Sequence, residues 1–172
     1  MDEVRLKKLQ RYIGKRSQGQ SDEQVMAHIE KEIAKYGITP EQWAKLLFPL
    51  CANAEYPFFL SLSKKANLED MAETLISHTV RFRQNNMEKE QNQVAIVKHL
   101  LSYIPEKCKQ EVIDRALGTS AWFAEYELTN YLIECGASLQ MVSNGRSLLE
   151  LAEHGKNQFE DDRVYNYIKD RM

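Results

Sequence analysis

Two adjoining runs of the sequence decide how it folds: Tyr131-Leu-Ile-Glu-Cys-Gly-Ala-Ser-Leu139 and, after a short gap, Asn144-Gly-Arg-Ser-Leu-Leu-Glu-Leu-Ala-Glu-His-Gly155. The first reads as the end of a helix. Gly136 stands where the chain leaves the helix through the left-handed region, which glycine enters without a Cβ penalty. Asn144-Gly145 is a tight-turn pair. Leu148, Leu149 and Leu151 then restart an apolar helical stripe, expected to run to Glu153 and stop at Gly155. Ala152 is small where two helices of a pair approach closely. A last helix follows, with Val164, Tyr165 and Ile168 on its apolar face.

Upstream the helical rhythm continues. Glu111 to Leu117 predicts a short helix, Gly118-Thr119-Ser120 a break, and Phe123 to Cys135 a longer helix. Val94, Ile96, Val97, Leu100 and Leu101 form a stripe that Pro105 stops. Residues 81–93 hold few apolar side chains and read as a helix end followed by a polar loop. Asn67 is placed as the cap of a helix carrying Met71, Leu75 and Ile76, and Pro57 as the opening of another. Ser21-Asp22-Glu23-Gln24 and Thr39-Pro40-Glu41-Gln42 have the form of capping boxes, the second with proline where its missing N–H costs nothing. Pro49 is expected to end or bend the helix carrying Trp43, Leu46, Leu47 and Leu50. Val4, Leu6, Leu9, Tyr12 and Ile13 give the first helix its apolar stripe, against Arg5, Lys7, Lys8, Arg11, Lys15 and Arg16. The stretch from Gly14 to Gln20 reads as a loop.

The two runs quoted first, taken together, resemble an ankyrin repeat boundary. Leu132-Ile133, Gly136-Ala137 and Leu139 match the end of one repeat, and Gly145, Leu148 and Ala152 the start of the next. Ser147-Leu148 stands in place of the usual Thr-Pro, and Ser138 in place of the loop Asp. Ala116-Leu117 with the helix from Glu125 to Ile133 fits a weaker unit upstream. The resemblance covers the C-terminal part only. It implies an all-α fold of stacked antiparallel helix pairs, an ankyrin-like solenoid behind an N-terminal helical region. The boundary falls between residues 1–105 and 106–172, with the two parts continuous. Stacked units bury each other's apolar faces, so a polar outer face on the last one is expected; Glu153, Lys156, Asp161, Asp162 and Lys169 would supply it.

Composition agrees with one folded unit. The chain has 172 residues, 43% hydrophobic and 28% charged, with seven glycines and four prolines. Its formal net charge of −2 provides no global basic field for nucleic acid or an anionic membrane. No apolar run nears the ~18 residues of a membrane span, and no apolar segment follows the basic N-terminus as in a signal peptide. Cys51, Cys108 and Cys135 are odd in number and far apart, and read as buried or half-buried reduced thiols in the cytoplasm.

Sites for chemistry are sparse. No metal-ligand spacing occurs among cysteines and histidines, no phosphate-cradling glycine loop is present, and no cofactor is expected. Glu160-Asp161-Asp162 reads as a solvated run. His28, His78, His99 and His154 form no pair. The expected function is therefore a non-catalytic protein-protein interaction module, a regulatory adaptor or a bacterial effector delivered into a host cell. As the resemblance implies, it would grip a partner protein on a concave helix and loop face. Trp122, Phe123, Tyr126, Asn144 and Arg146 are the candidate partner-binding residues. The basic first helix reads as a solvated face, with docking of an acidic partner as the sharper possibility. The alternative is an enzyme without a linear motif, using Cys108 with His78 or His99.

Overall fold

The computed structural model describes residues 1–14 and 19–172, and among them the chain is all-α but for one two-residue hairpin. The helices are α1 (Glu3–Gly14), α2 (Asp22–Tyr36), α3 (Pro40–Ala52), α4 (Tyr56–Ser63), α5 (Ala72–Thr79), α6 (Met87–Leu101), α7 (Glu106–Trp122), α8 (Tyr126–Glu134), α9 (Leu148–Phe159) and α10 (Arg163–Lys169). Between α8 and α9 lie β1 (Val142–Ser143) and β2 (Arg146–Ser147). Lys15 and Arg16, expected on the basic face of the first helix, lie outside the described residues, as does most of the expected loop around them.

Local chemistry starts α2, α3 and α4 where the sequence says it should. At α2, Gln24 N–H donates to Ser21 Oγ and Ser21 N–H to the Gln24 side chain; at α3, Thr39 and Gln42 make the same exchange. A third capping box, Ser147 with Glu150, opens α9. Each satisfies two backbone donors that the helix itself leaves free. Pro57 lies in the first turn of α4.

Four expectations are corrected. First, α3 runs through Pro49 to Ala52, because Leu46, Leu47, Leu50 and Cys51 are all fully buried and hold the last turn in place. Second, the polar stretch before Val94 is mostly helix. Asn86 caps α6 by accepting from Lys89 N–H at 2.9 Å, and the polar side chains of Glu90 and Gln93 point inward. Gln93 Nε2 donates to Thr79 O at 3.0 Å and Phe82 O at 2.9 Å, closing the frayed end of α5. Asn67, in turn, caps a turn ahead of α5, accepting from Glu69 N–H.

Third, Gly118-Thr119-Ser120 does not break α7. The hydroxyls bond inside the helix, Thr119 Oγ1 to Arg115 O and Ser120 Oγ to Leu117 O, so they do not compete for the backbone donors. Fourth, Gly155 is interior to α9, and its role is close approach. A Cβ there would lie 2.5 Å from Ala121 O and 2.9 Å from Trp122 O, at the end of α7.

Packing joins the helices in two rows. In one, α3 packs on α5, α5 on α7 and α7 on α9; in the other, α4 packs on α6, α6 on α8 and α8 on α10. The pairs α3–α4, α5–α6, α7–α8 and α9–α10 link the rows. The first helix lies against α3 and is tied there by Gln10 Nε2 to Lys45 O at 2.7 Å and by Lys45–Glu3 at 3.0 Å. Buried apolar side chains form one cluster from Leu6 to Ile168. Among the described residues no helix is long and apolar enough to cross a membrane.

Candidate functional site

The end of α7 sets the geometry of a groove on the surface. Its last residue is Trp122, after which Phe123 caps the helix and Ala124 turns the chain at φ 54°, sending Tyr126 into α8 in the other row. Facing Trp122 is the hairpin. Val142 pairs with Ser147 and Ser143 with Arg146, and Asn144 and Gly145 occupy the turn at φ 51° and 76°. Positive φ at both central positions matches the right-handed twist of a two-residue hairpin, which explains Asn-Gly there.

Between them opens a groove of about 490 Å³. Trp122, Phe123 and Leu151 give it an apolar floor; Gly118, Thr119, Ser143 and Asn144 complete the walls; Arg81 and Arg146 stand at its edges. Trp122 is half-buried. Its ring carries His154 stacked at 3.5 Å between centroids and the Arg146 guanidinium at 5.1 Å. Phe123 leans on Phe159 at 6.2 Å, and Arg83 lies over Phe159 at 4.7 Å. The ring of Trp122 is thus held in place while still facing the groove, the condition for an aromatic anchor.

Four of the five residues marked in the sequence meet here: Trp122, Phe123, Asn144 and Arg146. Tyr126 does not join them. It lines a separate cleft with Met87, Glu127, Arg163 and Tyr167, where its ring packs edge-on against Tyr167 at 5.5 Å. Arg81, Thr119 and Leu151 join the groove without any linear signal, since they come from three different helices or helix ends.

A second constellation, unmarked in the sequence, lies behind Phe123. Glu125 is 1% exposed and its Oε1 accepts from Gln84 N–H at 2.6 Å. Burial pushes its carboxyl up to about 8, helped by the charge of Glu90 and opposed by the Gln84 bond, Arg83 and Arg163. Glu90, 6% exposed, accepts from Arg163 at 3.2 Å and keeps its other oxygen buried without a partner. Asp161 joins Arg83 and Arg163, each at 2.8 Å. It is therefore an internal ion-pair partner rather than part of a solvated run, and its carboxyl is held below the usual range first by the Arg163 hydrogen bond.

Cysteines and histidines are scattered. Cys51 is buried, and desolvation pushes its thiol up to about 12; Cys135, expected at least half-buried, is exposed, because α8 ends at Glu134 and turns outward at Gly136. Cys108 is half-buried in the first turn of α7, and among the described residues no hydrogen bond links it to a histidine. His78 stacks on Phe48 at 4.3 Å and His99 meets Phe59 edge-on at 6.1 Å. Burial, first of all, lowers the pKa of both. Among the described residues no three His, Cys, Asp or Glu side chains gather where they could hold a metal ion. Compared with known proteins, the chain matches no family model, no curated protein and no solved structure.

Proposed function

We propose that the chain is a protein-protein interaction module, a divergent ankyrin-type stack that binds a partner in the groove between α7, α9 and the hairpin. The carrying observation is Trp122: an indole packed against His154 and Arg146, yet half-buried in the lining of a groove beside a hairpin. Burying such a ring against a partner removes apolar area from water at about 25 cal/mol per Å² without ordering it anew, which is how aromatic anchors concentrate binding energy. The two-row packing and the Asn144-Gly145 hairpin ahead of α9 support the repeat-like reading. The role of such a module is that of an adaptor or effector: it holds a partner rather than transforming it.

The test is capture from a lysate by the purified chain, with Trp122→Ala plus Arg146→Ala beside wild type and both verified as folded by circular dichroism. A partner held by wild type and lost by the double variant is the expected result. Capture that survives the variant would move the site elsewhere. The absence of any captured partner would count against the module.

A further inference from the structure

Charge distinguishes this groove from the clefts around it. Its lining contains two guanidiniums, Arg81 and Arg146, and no carboxylate. The neighbouring clefts each include at least one acid: Glu73 in two of them, Glu41 and Asp70 in a third, Glu127 and Asp170 beside Tyr126. The contrast does not follow from composition, since the chain as a whole carries −2.

Among the described residues neither arginine is held by a carboxylate, although Arg146 also lies over the Trp122 ring at 5.1 Å. Both are exposed, and among the described residues neither forms an ion pair. The acid that feels Arg146 is Glu150, but its carboxylate is spent on Ser147, accepting from the backbone N–H and from Oγ at 2.7 Å each. Elsewhere in the fold the opposite holds: Arg115 is paired with Glu73 at 3.1 Å, and Arg83 and Arg163 share Asp161. Among the described arginines that form no ion pair, Arg81 and Arg146 are the two that line this groove.

The groove also continues. Arg81 lines the next cleft along α5 with Phe48 and His78, and Thr119 lines the one with Val112 and Ala116. An occupant would therefore lie as a strip across helices rather than as a compact plug. Resting on the interaction-module reading, we propose that the partner is recognised through an extended acidic segment of its chain. Its carboxylates meet Arg81 and Arg146, and an apolar side chain between them rests on Trp122, Phe123 and Leu151. Guanidinium pairs carboxylate with two parallel N–H donors, and the low-lying aromatic floor excludes water from one side of each pair, so acid over amide is a recognisable preference. A nucleic acid fits less well, because the chain as a whole carries −2 and supplies no extended basic field for phosphates in series.

The experiment is fluorescence anisotropy with a fluorescein-labelled peptide of alternating Asp and Leu. Parallel arms use the same peptide with Asn for Asp, the same with Lys for Asp, and a labelled oligothymidine. The protein is wild type, Arg81→Gln, Arg146→Gln, the double variant, Trp122→Ala, and Lys169→Gln on α10 as a control for general charge. The acidic peptide should bind tightest, each arginine variant should weaken it about tenfold, added salt should weaken it further, and Lys169→Gln should leave it unchanged.

Equal binding of the Asn peptide, unaltered binding by the double variant, tighter binding of oligothymidine, or no binding of the acidic peptide would each overturn the acidic partner. The interaction-module reading fails separately. Asn or Lys peptide that binds and is lost on Trp122→Ala leaves the groove a docking site while removing its preference for acid.

Discussion

Glu125→Gln should make the protein more stable at pH 7.5 than wild type, and barely change it at pH 5. Glu125 is 1% exposed, and its carboxyl is pushed from 4.5 up to about 8. A raised carboxyl pKa means that the folded chain keeps a proton the unfolded chain has lost. Between those values the unfolded state binds fewer protons, so stability falls as pH rises, by about 1.4 kcal/mol for each pH step. From pH 5.5 to 7.5 the loss attributable to this group is about 2 to 3 kcal/mol, a large share of the ~5–15 kcal/mol that holds a domain.

His78 and His99 act in the opposite sense. Their lowered pKa values leave them neutral when folded, so they cost stability as pH falls below the ordinary histidine range. The difference between wild type and variant cancels them. Glutamine keeps an acceptor for Gln84 N–H and cannot ionise, so the variant should gain on wild type as pH rises, whatever slope the histidines give both. Urea unfolding followed by circular dichroism at pH 5.5, 6.5 and 7.5 measures both. Parallel curves, or a wild type that gains on the variant as pH rises, would refute a neutral buried Glu125.

Two glycines in helices should respond oppositely to alanine. Gly155→Ala drives a Cβ into the Ala121 and Trp122 carbonyls and should destabilise by about 1–3 kcal/mol despite the gain in helix propensity. Gly118→Ala meets the Met141 methyl at 2.7 Å, the far end of a flexible side chain, and Leu151 Cδ1 at an ordinary 3.4 Å, so it should be near neutral; thermal melts of both compare them. Ser147→Ala removes the capping box of α9 and should cost about 1 kcal/mol by urea unfolding, with Lys169→Gln as an indifferent control. A thiol reagent at neutral pH should modify exposed Cys135 first and leave Cys51 untouched until the chain unfolds; mass mapping that finds Cys51 reacting early would contradict its burial.

Sequence spacing was enough for whatever is local. The capping boxes at Ser21 and Thr39, the Asn144-Gly145 turn and the exit at Gly136 are dictated by backbone donors and by φ, which depend on neighbours a few residues away. The aromatic and hairpin residues of the groove could be marked for the same reason: Trp122 and Phe123 stand beside a helix end, Asn144 and Arg146 in a turn. Signals that sequence misread were those in which packing outweighs local preference. Gly118 and Gly155 look like stops and are contact points, Pro49 looks like an end and sits inside a helix whose inner face is buried, and the polar run before Val94 conceals two inward-facing side chains.

Only the tertiary structure decided which residues meet. Arg81 reaches the groove because α5 packs on α7, and Tyr126 leaves it because Ala124 turns the chain into the other row. Glu125 acquires its raised pKa only once the fold buries it, with Glu90 adding to the shift and Arg163 opposing it, since desolvation belongs to an environment and not to a residue type. The sequence alone determined an all-α chain and the helix starts that a capping box marks, at Ser21 and Thr39; the packing of one helix on another determined its sites, because contact across rows leaves no period for a linear pattern to carry.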